Sequence, residues 1–306
     1  MKKQLLIGSF VFMSVLFGIH SHAAKQIAIT FDDAPRSDTR LTSATRTEKL
    51  MMGLRTCGVD QAMFFITTKH LSDTNQGVLE QYEIAGHLIA NHSDQHLWLN
   101  KTETKTFQQD VLIAHEQLKA YKHFKPFFRY PFLDEGRNQD KVNAMQSFLT
   151  TEGYQNGYVT VDNYDWYLDK LYQDAIKADL SIDMNQLRRL YVDVLYAAIT
   201  FYDDMAIQHL GRSPKHVLLL HENDLAAYFI CDLVTKLKAD GWEIISPLAA
   251  YHDPIAQQIP QTLFTGQGRV AALTRDAGVL AKMLIHEAED EAHLKQMFND
   301  YHVVTE

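Results

Sequence analysis

Two aspartates stand side by side where a short apolar run ends. The run IAITF is followed by Asp32 and Asp33, and a proline comes soon after. Farther along, HSDQH places His92 and His96 four residues apart, so that one helical turn would bring both imidazoles to the same side. The chain has 15 histidines, and chance pairs are common at that number. The pair therefore indicates a metal site only if a third ligand exists.

The carboxylate of Asp33 can complete that set with His92 and His96. Two histidines and a carboxylate bind a catalytic zinc ion and leave a position open for water. Adjacent side chains diverge in extended chain, so Asp32 can meet that water as general base while Asp33 binds the metal. The sequence thus predicts a hydrolytic site with a divalent metal, for which Zn²⁺ is the expected ion.

Three further polar side chains follow other strand-like runs. Arg129 lies in FFRYPF, Asp162 follows YVTV, and His221 follows VLLL. We expect Arg129 to keep Asp32 ionised and His221 to give a proton to a departing amine or alcohol. A neighbouring carboxylate raises the pKa of an imidazole, which makes Asp162 the predicted partner of His221. The aromatic ring of Trp166 would form one wall of the active site.

These residues need a scaffold that brings separate strand ends together. Apolar runs alternate with helical patterns along the chain, and glycines at positions 58, 86, 153 and 241 fall where helices should end. Strands that are apolar on both faces indicate a parallel sheet covered by helices. A strand count of about seven suits a barrel at least as well as an open sheet, and catalytic groups gather at the carboxyl ends of barrel strands.

Two regions depart from the alternation. Residues 167–210 carry two helical patterns with no strand between them, which predicts a helical insertion packed on the main domain of residues 24–252. Residues 253–306 predict a C-terminal extension packed on the same domain.

Residues 1–23 are typical of an export signal, with two early lysines, an apolar run and small residues at the end. The alternative is a retained membrane anchor, but the apolar run is shorter than the roughly 20 residues that a bilayer span needs. We therefore expect cleavage, a periplasmic or extracellular location, and no stable membrane insertion of the mature chain.

The charge of the chain excludes some partners. Removal of two lysines and no acid would take the formal net charge from −9 to −11, which makes nucleic acid and anionic membrane surfaces poor partners. The two cysteines, Cys57 and Cys231, permit a disulfide in an exported protein, but their spacing does not decide it, and a cysteine is more often a small buried hydrophobic residue.

Three other charged or glycine-rich segments invite a functional interpretation that their context does not support. Asp203 and Asp204 lie in a helical pattern, which predicts a solvated helix face. HEAEDEAH (residues 286–293) is expected to be a charged helix face, and GQGR (residues 266–269) a plain turn.

Taken together, five segments resemble the motifs of the polysaccharide deacetylases of the NodB-homology type, carbohydrate esterase family four. They are TFDDAP (30–35), HSDQH (92–96), RYPF (129–132), DNYDW (162–166) and LLH (219–221). The resemblance implies a distorted (β/α)7 barrel, here with the helical insertion before the last strands and the C-terminal extension. It also implies the roles already assigned to the base, the three metal ligands, Arg129 and the acid.

The resemblance implies three substrate contacts as well. The backbone N–H of Phe132 would help to hold an oxyanion, and Leu219 and Trp166 would line an acetyl pocket. The family usually has glycine where Ala34 stands and tyrosine where Phe132 stands. The insertion is long for the family and enters close to the active face, where it could reshape the groove.

The expected function is therefore removal of N-acetyl groups from the amino sugars of a chitin-like or peptidoglycan-like polysaccharide, with an N-acetylated glycan as the partner. One alternative keeps the site but changes the bond to an O-acetyl ester or another small amide. A second alternative is a glycan-binding protein without catalysis, although such a protein has no need of both Asp32 and His221.

Overall fold

The computed structural model describes residues 24–71, 75 and 77–305. The predicted export signal at residues 1–23 lies outside them. The strands are β1 (Lys25–Ala34), β2 (Met63–Ile66), β3 (Leu88–Asn91), β4 (Phe124–Phe128), β5 (Gln155–Asn156), β6 (Ser181–Ile182), β7 (Lys215–His221), β8 (Trp242–Ile244) and β9 (Val304–Thr305). The α-helices are α1 (Ser43–Thr56), α2 (Gly77–Ile84), α3 (Thr104–Leu118), α4 (Gln139–Thr151), α5 (Asp165–Lys177), α6 (Met184–Leu210), α7 (Asp224–Ala239), α8 (Pro247–Tyr251), α9 (Arg269–Asp276) and α10 (Glu291–Asp300).

A seven-stranded parallel sheet forms the centre of the domain. Its order is β5-β4-β3-β2-β1-β7, and β8 pairs with the start of β1. Asp32 lies opposite His221 in the register of β1 and β7, and Asn91 lies opposite Phe128 at the ends of β3 and β4. The carboxyl ends of these strands meet at one edge, so the residues that follow them converge there.

One segment contacts both outer edges of the sheet. The N–H of Gly157 donates to the carbonyl of Phe128 on β4 at 2.7 Å, and that of Val161 donates to the carbonyl of Val217 on β7 at 3.2 Å. A Cβ on Gly157 would lie 2.6 Å from the Phe65 ring, so only glycine allows this crossing. The sheet is curled as a result, which confirms the predicted distorted barrel in the form of a curled parallel sheet with outer helices.

The strand-like run at residues 157–162 (GYVTVD) does not form a regular strand: β5 ends just before it at Asn156, and within it only Val161 makes an isolated bridge. The reason is that this segment changes its partner strand along its length, from β4 to β7. A regular strand needs one partner over several residues.

The core lies within the sheet and between the sheet and its helices. Every residue of β2 and β3 is buried, as expected for strands covered on both faces. The Phe64 ring stacks between Phe31, at 4.9 Å, and Tyr82 of α2, at 4.0 Å. The glycines predicted to end helices, at positions 58, 86, 153 and 241, all have positive φ, which confirms their role.

The predicted helical insertion consists of α5 and α6, but a short strand separates the two helices. This strand, β6, pairs antiparallel with β9 near the end of the chain, and two residues are too few to give a strand pattern in the sequence. The N–H of Tyr164 donates to the carbonyl of Ala288 at 3.0 Å. The C-terminal residues therefore pack against the insertion, while the domain boundary at residue 252 stays a prediction.

The prediction of a solvated face for Asp203 and Asp204 is wrong for Asp203. Asp203 is buried and pairs with Lys25 Nζ at 2.6 Å and with His216 Nε2 at 3.2 Å, while Asp204 is exposed. The side of α6 that carries Asp203 packs on the sheet, where β1 and β7 supply its two partners.

The prediction of a charged helix face for HEAEDEAH is also wrong in part. Glu289 is buried at the end of a 3₁₀ turn, and its carboxylate accepts hydrogen bonds from Gln267 Nε2 and the Tyr202 hydroxyl. α10 begins only after this turn. Tertiary packing of the turn against α6 decides the burial of this acid.

Cys57 and Cys231 are both free, half-buried thiols in this structure. In the part of the chain that the structure describes, none of the helices combines the length and the apolar character required to cross a bilayer.

Candidate active site

A cleft of about 440 Å³ opens at the carboxyl ends of the strands. All the site residues predicted from the sequence line it except Arg129: Asp32, Asp33, His92, His96, Phe132, Asp162, Trp166, Leu219 and His221. Arg129 lies buried beside the cleft. The fold thus brings together groups that are up to 189 residues apart, from Asp32 to His221.

The two adjacent aspartates both face the cleft. Asp33 has a φ of 60°, and the register with β2 shifts between Phe31 and Ala34, so the chain is not extended here. As a result Asp32 Oδ2 lies 3.8 Å and Asp33 Oδ1 lies 3.7 Å from His92 Nε2. The expectation that extended backbone points the two side chains in different directions is wrong. The two carboxylates differ instead in the residues with which they pair.

The three residues predicted as metal ligands lie close together, although the segment of His92 and His96 is not helical. His96 has a φ of 55°, and the rings of His92 and His96 meet edge to face at 4.9 Å. Ligand atoms of these histidines and Asp33 all lie within 4.8 Å of one another, and His96 Nε2 is 3.3 Å from Asp33 Oδ1. Ligands bound to Zn²⁺ at about 2.0 Å in a tetrahedron lie roughly 3.3 Å apart, so the three side chains fit such an ion.

The protonation of the histidines also suits a metal. Burial lowers the pKa of His92 and of His96 to about 4 in each case, which leaves both imidazoles neutral at pH 7. His92 Nδ1 donates to the carbonyl of Arg129 at 2.9 Å. This bond leaves the lone pair of Nε2 facing Asp33, as a metal-binding histidine requires.

Arg129 connects the floor of the cleft to the sheet. Its Nη1 donates to Asp32 Oδ1 at 2.5 Å, its Nε to the carbonyl of Gly157 at 2.6 Å, and its Nη2 to the Tyr251 hydroxyl at 3.0 Å. The guanidinium also lies 3.8 Å from the centre of the Phe65 ring. Tyr251 and Phe65 carry no signal in the sequence, since nothing local relates them to the site.

The pKa values of the two aspartates move in opposite directions. Burial raises the pKa of Asp32, and the charge of Arg129 opposes that rise. Burial also works against ionisation of Asp33. In the acidic range where Asp33 titrates, however, His96, His221 and His92 are protonated, and their positive charge, with that of Arg36, outweighs burial and leaves the pKa of Asp33 well below its usual range. Asp33 is thus the carboxylate held in its charged form, while Asp32 is the more basic of the two.

The predicted pairing of His221 with Asp162 is wrong, because Asp165 takes that position. His221 Nδ1 donates to Asp165 Oδ1 at 2.7 Å, and the backbone N–H of His221 donates to Oδ2 at 2.9 Å. The chain turns through Asn163, whose Nδ2 bonds the carbonyl of Leu219, so that α5 begins at Asp165 directly beside β7. Asp165 lies in the same DNYDW segment, three residues from the expected partner.

Asp162 lines the cleft in a different electrostatic setting. Its side chain accepts a 2.7 Å hydrogen bond from the backbone N–H of Asn163. Burial, together with the neighbouring charge of Glu289, raises the pKa of Asp162 well above its ordinary value. The carboxylate that contacts His221 is that of Asp165 and not that of Asp162. Burial alone would lower the pKa of His221, but the charge and hydrogen bond of Asp165 produce a net rise.

Aromatic rings form two sides of the cleft. On one side the Trp166 ring lies 5.2 Å from that of Tyr164. On the other, the half-exposed Phe132 ring lies 4.6 Å from His96 and 5.0 Å from Trp98. Trp98 is a lining residue that the motifs do not indicate. Gly266, from the predicted turn GQGR, also lines the cleft and bonds the carbonyl of Leu133 at 3.0 Å.

This constellation can be compared with known families. Residues 20–151 match the polysaccharide deacetylase family. The match confirms the resemblance seen in the first three motifs, and it ends before Asp162 and His221. The structure brings the residues of the last two motifs to the same cleft.

Known proteins of this family resemble the chain in sequence and fold. A peptidoglycan-N-acetylglucosamine deacetylase of Bacillus cereus is 25% identical over 142 residues, which are 46% of this chain and 46% of that protein. The aligned part thus spans about half the length of that curated relative.

Two solved structures share the fold. A family 4 carbohydrate esterase from Streptomyces lividans has 19% identity and a TM-score of 0.50, with 74% of this chain and 97% of that chain covered. A Streptococcus mutans family 4 esterase has 17% identity and a TM-score of 0.51, with 73% and 86% covered.

Proposed function

We propose that the protein is a metal-dependent hydrolase that removes N-acetyl groups from the amino sugars of a polysaccharide. One observation carries the proposal: the Asp33, His92 and His96 cluster lies in one cleft with Asp32 and His221. The name of the Bacillus cereus relative supports a peptidoglycan-like substrate, and a chitin-like polymer offers the same acetamido group.

A divalent metal, with Zn²⁺ as the expected ion, would be held by Asp33, His92 and His96. When bound, it supplies Lewis acidity toward water and toward the substrate carbonyl. The neutral imidazoles and the charged carboxylate are the protonation states that such an ion needs.

Asp32 acts as the general base. Its buried carboxylate has a raised pKa, which strengthens it as a proton acceptor, and Arg129 fixes Oδ1 so that Oδ2 faces the cleft near His92. Proton removal from water is thereby coupled to attack on the acetyl carbon.

His221 acts as the general acid. Asp165 binds its Nδ1 and raises its pKa, which favours the imidazolium form that protonates the departing amine. The backbone N–H of Phe132 would help to hold the oxyanion, and Trp166 and Leu219 would surround the acetyl methyl group. His221, Phe132, Trp166 and Leu219 all line the cleft.

We further propose that the mature chain works in the periplasm or outside the cell, after cleavage of residues 1–23. The basic start and short apolar run of those residues support this proposal. Whole-cell fractionation with N-terminal sequencing of the exported chain would test it, and an intact N-terminus in the membrane fraction would contradict it.

Acetate release tests the activity. Purified protein is incubated with chitooligosaccharides, peptidoglycan fragments and acetylated xylan, with added Zn²⁺ or Co²⁺ and with a chelator. We expect acetate from an N-acetylated glycan, and we expect the chelator to abolish it. Faster release from xylan would favour an O-acetyl esterase, and binding without release would favour a glycan-binding protein.

A further inference from the structure

Among the described residues that line the cleft, Arg36 is the only lysine or arginine. Arg36 lies four residues after Asp32 and three residues after Asp33. The chemistry proposed above does not require it. The remaining charged lining groups are acids and histidines, in a chain with a formal net charge of −9. The cleft of this negatively charged protein therefore contains one positively charged side chain that would attract a negatively charged ligand group.

The backbone of Arg36 is held in place by a buried ion-pair network. The Arg36 N–H donates to Glu222 Oε2 at 2.8 Å, and its carbonyl accepts a hydrogen bond from Arg46 Nη2. Arg46 is itself fully buried and pairs with Glu222 and Asp224. This buried ion-pair network sets the position from which the Arg36 side chain reaches the cleft.

Within the described part of the chain, the Arg36 guanidinium lacks the hydrogen-bond partners that Arg46 and Arg129 have. Its Nη1 is buried and has no hydrogen-bond partner among the residues that the structure describes. By contrast, Arg46 and Arg129 each donate to several protein acceptors. Because water does not reach Nη1, a ligand in the cleft would meet Arg36 at the part of the residue that lines the cleft. There it would find a charged donor group whose side-chain N–H groups no acceptor of the described residues occupies.

We propose that Arg36 binds a carboxylate of the substrate, so that the enzyme prefers an acidic N-acetylated glycan over a neutral one. The planar fork of a guanidinium matches the two oxygens of a carboxylate, and this charge-assisted pair also carries directional specificity. A carboxylate is available as a lactyl ether on an acetylated sugar or as a uronic acid in the neighbouring ring. The inference rests on the proposed deacetylase function and names its substrate class.

Acetate release from matched oligosaccharides tests the preference. The probes are an oligosaccharide of alternating N-acetylglucosamine and N-acetylmuramic acid, the same compound with its carboxylates amidated, a hyaluronan oligosaccharide, and a chitin oligosaccharide of equal length. We expect a higher kcat/KM on an acidic probe than on the amidated and chitin probes. The comparison of muramic acid with hyaluronan identifies the source of the carboxylate.

The R36Q variant removes the cation, and R40Q is the matched control. Arg40 is an exposed residue of the same loop and does not line the cleft. We expect R36Q to reduce the acidic-to-neutral ratio of kcat/KM about tenfold or more, because hydrogen bonds to charged groups contribute on that order. R36K, which keeps the charge but loses the fork, should give an intermediate ratio, and R40Q the wild-type ratio.

The metal content of each variant separates the inference from a structural role. Arg36 is one of the charges that lower the pKa of Asp33, so an R36Q variant that loses its metal and slows equally on all probes would overturn the proposal. An unchanged ratio with full metal content would overturn it as well. Wild-type protein that releases acetate from none of the probes would contradict the proposed function itself, and this inference with it.

Discussion

Asp32 and Asp33 lie at 3.8 Å and 3.7 Å from the same nitrogen, His92 Nε2, yet only Asp32 pairs with Arg129 and only Asp33 also approaches His96. The division of roles therefore does not come from opposite directions of the two side chains. It comes from one bend in β1, at the positive φ of Asp33, which gives two neighbouring carboxylates different partners.

Exchange of each aspartate should separate metal binding from turnover. Asp33→Asn should lose metal, because a carboxylate ligand is replaced by a weaker neutral one. Asp32→Asn should keep metal and lose activity by a factor on the order of 10² to 10⁴, the usual contribution of a general base. Metal content per chain and acetate release measure the two effects. Asp60→Asn, at an exposed position outside the cleft, is the control, and equal metal loss in both site variants would contradict the division.

The pH profile should respond to Asp165 and not to Asp162. His221 must be protonated to act as the acid, so activity is lost as pH rises through its raised pKa. Asp165→Asn removes the charge that raises this pKa, and the alkaline limb of kcat/KM should move to lower pH. Asp162→Asn, which replaces an acid whose pKa lies well above its ordinary value, should leave that limb in place. Equal shifts in both variants would show that the pairing is misassigned.

Arg129 should be required for both stability and activity. Arg129→Lys cannot reach Gly157, Asp32 and Tyr251 at once, because an ammonium group lacks the planar fork. Loss of one partner of a buried charge pair destabilises a protein by about 3 kcal/mol or more. Urea unfolding measures this change. Arg188→Lys, in an exposed pair with Asp232, should cost less than about 1 kcal/mol, and a similar loss in both variants would contradict the role of Arg129.

Closure of the sheet should depend on the absence of a side chain at position 157. Gly157→Ala places a Cβ 2.6 Å from the Phe65 ring and 3.2 Å from the carbonyl of Phe128, and such overpacking costs about 1–3 kcal/mol. Gly77→Ala is the control, since its Cβ would meet nothing within 4 Å. Chemical unfolding should show a loss for the first variant only. A stable Gly157→Ala protein would mean that the segment can move away from β2.

Much of the site follows from the sequence because of one property of parallel sheets. Apolar runs locate the strands, and the residues after Phe31, Asn91, Phe128 and Leu220 meet at one edge whatever the length of chain between them. The helix ends can also be predicted, because glycine adopts the positive φ that commonly follows the last turn of a helix. The residues proposed as base, metal ligands and acid could therefore be brought to one place in the fold from residue type and position alone.

Only the tertiary structure decided which of two nearby acids serves His221, and which of two adjacent acids is buried in α6. Asp162 and Asp165 share a motif, and the turn at Asn163 together with the start of α5 selects Asp165. Asp203 is buried because β1 and β7 supply Lys25 and His216. Sequence patterns record local preference, whereas the partner of a buried charge is set by contacts between segments distant in the chain.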